Sequence, residues 1–114
     1  MGLTNTEAEV VFLFQKGDQK AFEQLYDQYA PMLFGVIGRL VPDPKLATRV
    51  FQQSFIYIWQ QRTSYNSGKE RIFTWMSKCA LKIAVATARQ LENAADGYQA
   101  NQDSNFYVSI KDNR

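Results

Sequence analysis

The sequence has no histidine, a single cysteine and three prolines in 114 residues. Without histidine the commonest metal ligand and the usual general base are missing, and Cys79 has no partner for an internal disulfide. Long apolar runs are missing too. The longest uncharged apolar stretch, Ala30 to Gly38, falls far short of the roughly 20 residues a bilayer-crossing helix needs. The N-terminus MGLTNTEAEVV lacks the basic lead and apolar run of a secretory signal. These absences imply a cytoplasmic protein with no metal, no cofactor and no membrane attachment, and they argue against an enzyme. Glu7 with Glu9, or Asp18 with Glu23, could be named as carboxylate pairs, but capping and solvation explain them more simply. Cys79 lies at an apolar helical position, where a buried structural thiol is expected rather than a nucleophile.

What remains is an ordinary globular composition, 46% hydrophobic and 21% charged, enough for one domain with a modest core. The net charge is only +2, but it is unevenly spread. Residues 1 to 30 hold Glu7, Glu9, Asp18, Glu23 and Asp27 against Lys16 and Lys20. Residues 31 to 92 hold Arg39, Lys45, Arg49, Arg62, Lys69, Arg71, Lys78, Lys82 and Arg89 against Asp43, Glu70 and Glu92. The second half of the domain is the basic one.

Apolar residues recur at three- and four-residue steps throughout, which predicts an all-α fold, a compact bundle of about four helices. Thr6 with Glu9 forms a capping box for a first helix over 7–16, ending near Gly17. Asp18 caps a second over 19–41, carrying Phe22, Leu25, Tyr26, Tyr29, Leu33, Val36, Ile37 and Leu40, with Pro31 set to kink or divide it. Asp43-Pro44 starts a third, capped by the Asp43 carboxylate, with Ala47, Val50, Phe51, Phe55, Ile58 and Trp59 on one face and an end near Arg62. Trp59 is expected to be mostly buried. The stretch 63–69 has turn chemistry and is read as a flexible polar loop. A fourth helix, about 72–91, buries Ile72, Trp75, Met76, Cys79, Ala80, Ile83 and Ala84. The domain is therefore expected over 1–92, with 93–114 a polar linker or disordered tail. A monomer is expected.

At about 100° per residue, Arg71, Lys78, Lys82 and Arg89 fall within roughly 20° of one line along the fourth helix, and Trp75 lies about 40° from that line. Such a stripe can neutralise successive phosphates, while a bordering aromatic offers a face for an unstacked base. The adjacent loop, with Tyr65, Asn66, Ser67 and Lys69, could receive a flipped base and bond its edges. The alternative for the same residues is a solvated helix face beside a core tryptophan.

Three segments in order, GDQKAFEQLYDQYAPMLF, DPKLATRVFQQSFIYIW and, after a short loop, FTWMSKCALKIAVATAR, resemble region 2 of the extracytoplasmic-function sigma factors, in the sigma-70 family. The resemblance covers about residues 17 to 89. It rests on Asp18, Ala21, Phe22, Leu25, Tyr26 and Tyr29; then Asp43, Pro44, Ala47, Gln52, Phe55 and Trp59; then Trp75, Ala80, Ala84 and Arg89. It implies a transcription initiation factor domain that binds core RNA polymerase and recognises and melts the promoter −10 element as single-stranded DNA. The third helix, through Arg49, Gln52, Gln53 and Ile56, would grip the clamp helices of the polymerase largest subunit. The loop and fourth helix would hold the non-template −10 strand, and the first two helices would be scaffold, with Phe22, Tyr26 and Tyr29 in the core.

The sequence departs from the family pattern at several of these positions. Acidic residues are usual where this chain has Thr48, Arg49 and Gln53, so Arg49 sets a repulsion where an attraction toward an arginine-rich clamp is expected. Asparagine and aspartate are usual at Lys82 and Ala86, and arginine at Leu81; Lys82 keeps a donor and adds charge, which favours phosphate binding over base reading. These departures leave a second reading open: a degenerate sigma-like module that binds an anti-sigma factor or the polymerase without melting DNA. The helix-turn-helix that reads the −35 element in this family is absent from the sequence, which implies either a piece of a longer protein whose interdomain linker begins in the polar tail or a one-domain relative; the tail composition favours the first.

Overall fold

Thr6 opens the first helix in the manner its spacing predicts. In the computed structural model, which describes residues 6–96, its Oγ1 accepts from the Glu9 amide at 3.2 Å while its own amide donates to Glu9 Oε1 at 2.9 Å. Helix α1 (Glu7–Gln15) then stops at Gly17, whose φ of +96° is open to glycine and strained for other residues. The Gly17 amide donates to Phe14 O and the Asp18 amide to Leu13 O, both at 3.0 Å, which is the paired closure of a Schellman motif. Asp18 at once caps α2 (Gln19–Leu40), its Oδ1 accepting from the Lys20 amide at 2.8 Å and the Ala21 amide at 3.3 Å.

Pro31 does not divide α2, which runs as one helix through it. Val41 and Pro42 form an extended turn, and α3 (Pro44–Gln60) follows. Asp43 holds the N-cap position, but its carboxylate makes no capping hydrogen bond; the fixed φ of Pro44 suits a first helical turn without one. A single 3₁₀ turn (Arg62–Ser64) leads into the connection, and α4 (Ile72–Asp96) closes the fold. That last helix continues past Leu91, because Glu92, Asn93, Ala94 and Ala95 are compatible with helix even where the apolar periodicity has ended. The expected domain edge at 92 thus falls inside a helix, and the rest of the expected tail, from residue 97 on, lies outside the described residues.

The described residues contain four α-helices and no strand. Helices α2, α3 and α4 pack on one another and α1 lies against α2. Phe14, Leu33, Ile37, Val50, Ile58, Ile72 and Met76 are almost fully enclosed where they meet. Each such side chain contributes about 1.5–3 kcal/mol by leaving water. Ser54, also enclosed, bonds its hydroxyl back to Val50 O at 2.7 Å, so a polar residue is tolerated in mid-helix. The seven residues expected to be buried on α4 are all buried.

Along the α2–α3 seam the apolar stripe reaches the surface sooner than its periodicity implies. Phe22 stacks on Phe14 and meets Trp59 at a tilt, with centroids 5.8 and 5.0 Å away, and is half-buried. Tyr26 remains 40% exposed although its ring is 4.7 Å from Phe55, and Leu40 is 46% exposed at the helix end. Trp59 is half-buried rather than enclosed, because its outer face is taken by an arginine instead of by the core. No described helix is long and apolar enough to cross a membrane.

Candidate nucleic-acid interface

The amphipathic repeat of α4 that buries Ile72, Met76 and Ile83 turns Arg71, Lys78, Lys82 and Arg89 outward, and all four are exposed. They form the row that their spacing predicts, but the row is not uniform. Lys78 Nζ lies 2.7 Å from Glu70 Oε1, and Lys82 Nζ lies 5.7 Å from the centre of the Tyr57 ring on α3. Glu70 therefore occupies one lysine of the stripe, an acid whose proximity depends on how the loop folds back and which helical spacing cannot reveal.

Trp75 is buried, as its place on the apolar face of α4 predicts, and Tyr65 is buried with it, so neither is the open stacking surface that the DNA reading asks for. Trp75 is 8% exposed and Tyr65 is 7% exposed, with ring centroids 5.3 Å apart. The Tyr65 hydroxyl donates to Glu70 O at 2.6 Å, and burial, helped by Glu7 and Glu70, raises its pKa. Neither ring is free to take a base. An offset of about 40° from the cationic line was enough to carry Trp75 into the core, because the buried face of a helix in a bundle is wider than 100°.

The connection between α3 and α4 is an ordered turn rather than a loose loop. Asn66 Oδ1 accepts from the Gly68 amide at 2.8 Å, and Asn66 O accepts from the Lys69 and Glu70 amides at 3.0 and 3.4 Å. The first is an Asx-turn bond of the kind asparagine favours, and the other two close the backbone turn behind it. Asn66, Ser67 and Lys69 are exposed at its outer edge. Between this turn and α1 runs a groove of about 640 Å³, lined by Glu7, Val11, Phe12 and Gln15 on one side and by Ser67, Lys69 and Arg71 on the other. It is large enough for a nucleobase or a small ligand.

Several residues that shape this region have no signal in helical spacing. Gln15 of α1 donates through Nε2 to Arg62 O at 2.9 Å and Tyr65 O at 2.8 Å, contacts that span some fifty residues of sequence. Tyr29 of α2 donates to Glu7 Oε1 and stacks on Phe73, with centroids 5.4 Å apart; burial first, and then Glu7, push its pKa up to about 12. Only the Trp59–Arg62 pair, three residues apart at a helix end, could have been anticipated locally.

On α3 the four residues expected at a polymerase surface share one outward side. Gln52 is exposed, Ile56 is 49% exposed, and Arg49 and Gln53 are half-buried. Helical spacing sets the four on one side of α3, a different helix from the one that carries the cationic row.

No family model matches the chain. Among curated proteins it is 30% identical over 91 residues to the RNA polymerase sigma factor CarQ of Myxococcus xanthus, covering 80% of this chain and 51% of that protein. It is 30% identical over 78 residues to the RNA polymerase sigma-H factor of Pseudomonas aeruginosa, covering 68% of this chain and 40% of the relative. With the ECF RNA polymerase sigma factor SigK of Mycolicibacterium vanbaalenii it shares 26% over 78 residues, covering 68% of this chain and 40% of that protein. A solved structure of an engineered region 2 of sigmaE, in complex with GTAAAA, matches with a TM-score of 0.67 and 31% identity, covering 81% of this chain and 99% of that one. The helical fold is thus that of a sigma region 2 domain. The chain belongs to the extracytoplasmic-function family of RNA polymerase sigma factors. It spans about half the length of the curated relatives it matches.

Proposed function

We propose that this domain binds core RNA polymerase and holds the non-template strand of the promoter −10 element in single-stranded form, acting by binding and not by catalysis, in the cytoplasm. The observation that carries the reading is the exposed row Arg71, Lys78, Lys82 and Arg89 beside the groove at the turn, in a fold whose sigmaE counterpart was solved in complex with GTAAAA. Phosphates would lie along α4, each contact releasing counterions. A base turned out of the strand would enter between α1 and the turn, where Asn66, Ser67 and Lys69 offer polar groups. Tyr65 and Trp75, being buried, would hold the turn in place instead of stacking on the base. Polymerase would meet the α3 side that carries Arg49, Gln52, Gln53 and Ile56.

Fluorescence anisotropy with labelled strands across a salt series tests the DNA half of this reading. Single-stranded −10-like oligonucleotides should bind more tightly than duplex, since duplex must first be unstacked. Changing Lys78 and Lys82 together to alanine should weaken binding to all sequences and flatten the salt slope, whereas Asn66→Ala should mainly relax base preference. Equal low-salt binding by the double lysine variant would leave the row a solvated face.

One observation favours the second reading, a sigma-like module that binds an anti-sigma factor or the polymerase and melts nothing. No aromatic among those expected at the DNA side is open to a base, while Ile56 and Phe34 are exposed on the α2–α3 side. Polymerase capture without any single-strand preference would support it.

A further inference from the structure

Helix α1, expected to be scaffold alone, is fastened at both ends to the parts of the fold that would handle DNA. Its first turn is held by the Tyr29 hydroxyl on Glu7, with Tyr29 stacked on Phe73 at the start of α4. Its last turn is held by Gln15, whose amide nitrogen reaches Arg62 O and Tyr65 O, the carbonyls that bracket the 3₁₀ turn. Both partners are acceptors, so the side chain must present its NH₂ group, and that group has two hydrogens to give. Backbone carbonyls in such a connection have no helical ladder to satisfy them and need donors from elsewhere. Gln15 is half-buried and lines the groove that faces Ser67, Lys69 and Arg71.

We infer that Gln15 is a positioning residue for strand capture: by holding the carbonyls of Arg62 and Tyr65 from across the groove, it fixes the conformation of the 65–71 turn that would select a single strand. This rests on the DNA reading proposed above. Replacing Gln15 by leucine keeps the bulk and the helix propensity but leaves two carbonyls without donors. Lysine keeps a donor at that place, and glutamate sets an acceptor against acceptors.

The test has two arms. In the unbound domain, hydrogen exchange is followed at the Ser64, Lys69 and Glu70 amides, which are hydrogen-bonded within the connection. Gln15→Leu and Gln15→Glu should exchange about tenfold faster there with the amides of α2 to α4 unchanged, while Gln15→Lys should stay near wild type. In the second arm, single-strand affinity relative to duplex should fall about five- to tenfold for Gln15→Leu, on the scale of one or two lost hydrogen bonds, with the salt slope unchanged. A domain that never prefers single strands refutes the DNA reading and, with it, the capture role. If wild type prefers single strands and Gln15→Leu does so equally, the inference about Gln15 is overturned while the DNA reading stands. Should Gln15→Leu unfold, Gln15→Lys still decides: loss of amide protection with a donor in place would overturn the inference.

Discussion

The Arg62 guanidinium lies over the Trp59 ring, 4.2 Å from its centroid, and donates through Nη1 to the Trp59 carbonyl at 2.9 Å. One side chain thus covers an aromatic face and caps one carbonyl near the end of α3. A planar guanidinium does both, and an ammonium cannot. Arg62→Lys is expected to lower stability by about 1 kcal/mol and Arg62→Ala by about 1–2 kcal/mol, read as the shift in a urea unfolding midpoint. Arg62 Nε is buried without a hydrogen-bond partner, which keeps these losses below those of a fully satisfied arginine. Equal stability of Arg62→Lys and wild type would show that charge alone matters at this corner.

Thr87 on α4 is 2% exposed, and its hydroxyl is enclosed without a hydrogen-bond partner. Valine has the same branched shape and no polar atom to desolvate. Thr87→Val should therefore raise stability by about 1 kcal/mol, seen as a higher thermal midpoint. A destabilised variant would mean that the hydroxyl is satisfied in solution, for example by water.

Cys79 and Tyr29, together with Tyr65, should make stability fall at alkaline pH. Burial pushes the Cys79 thiol from 9.0 to about 12, and burial with the Glu7 contact pushes Tyr29 from 10.0 to about 12. Both are raised in the folded state, so their neutral forms favour folding fully below pH 9 and lose that advantage as pH climbs toward 12. Urea midpoints should decline across this window, and Cys79→Ala should remove the part that starts at 9. At pH 8 the native thiol should resist alkylation and react once the domain is unfolded. Prompt alkylation of the native domain would show that Cys79 is reachable.

Glu70 holds Lys78 at 2.7 Å, with the lysine side chain 67% exposed. The pair adds little to stability, since exposed ion pairs are worth at most about 1 kcal/mol. Its effect on a phosphate would be larger, because an incoming strand must displace a carboxylate. Glu70→Gln should strengthen single-strand binding several-fold and steepen its salt dependence by roughly one phosphate contact. Lys78→Ala should flatten the slope less than Lys82→Ala for the same reason. Weaker binding by Glu70→Gln would mean that the acid orients the lysine instead of masking it.

Much of the fold was legible because its rules are local. The Thr6–Glu9 box, the Asp18 cap and the Gly17 stop are each decided within four residues, and the four-helix count follows from 3.6-residue periodicity. The outward placement of Arg71, Lys78, Lys82 and Arg89 was legible for the same reason. What sequence could not supply was contact between distant elements, such as Tyr29 with Glu7 and Gln15 with the carbonyls of Arg62 and Tyr65. The turn at 65–71 reads as loose in sequence because polar composition is silent about the Asn66 bonds and about a donor arriving from Gln15.

Asp18 both closes α1 and opens α2, so the two helices share a joint without slack. There is no spacer in which a change of length could be absorbed. A single residue inserted between Gly17 and Asp18 would swing α1 by about 100° about its own axis if its helix were simply extended, or would unlatch the cap if it were not. Either way Gln15, in the last turn of α1, would no longer meet the chain at residues 62 and 65. Two helices joined this tightly behave as one bent lever, and this corner of the fold should tolerate changes of side chain far better than changes of length.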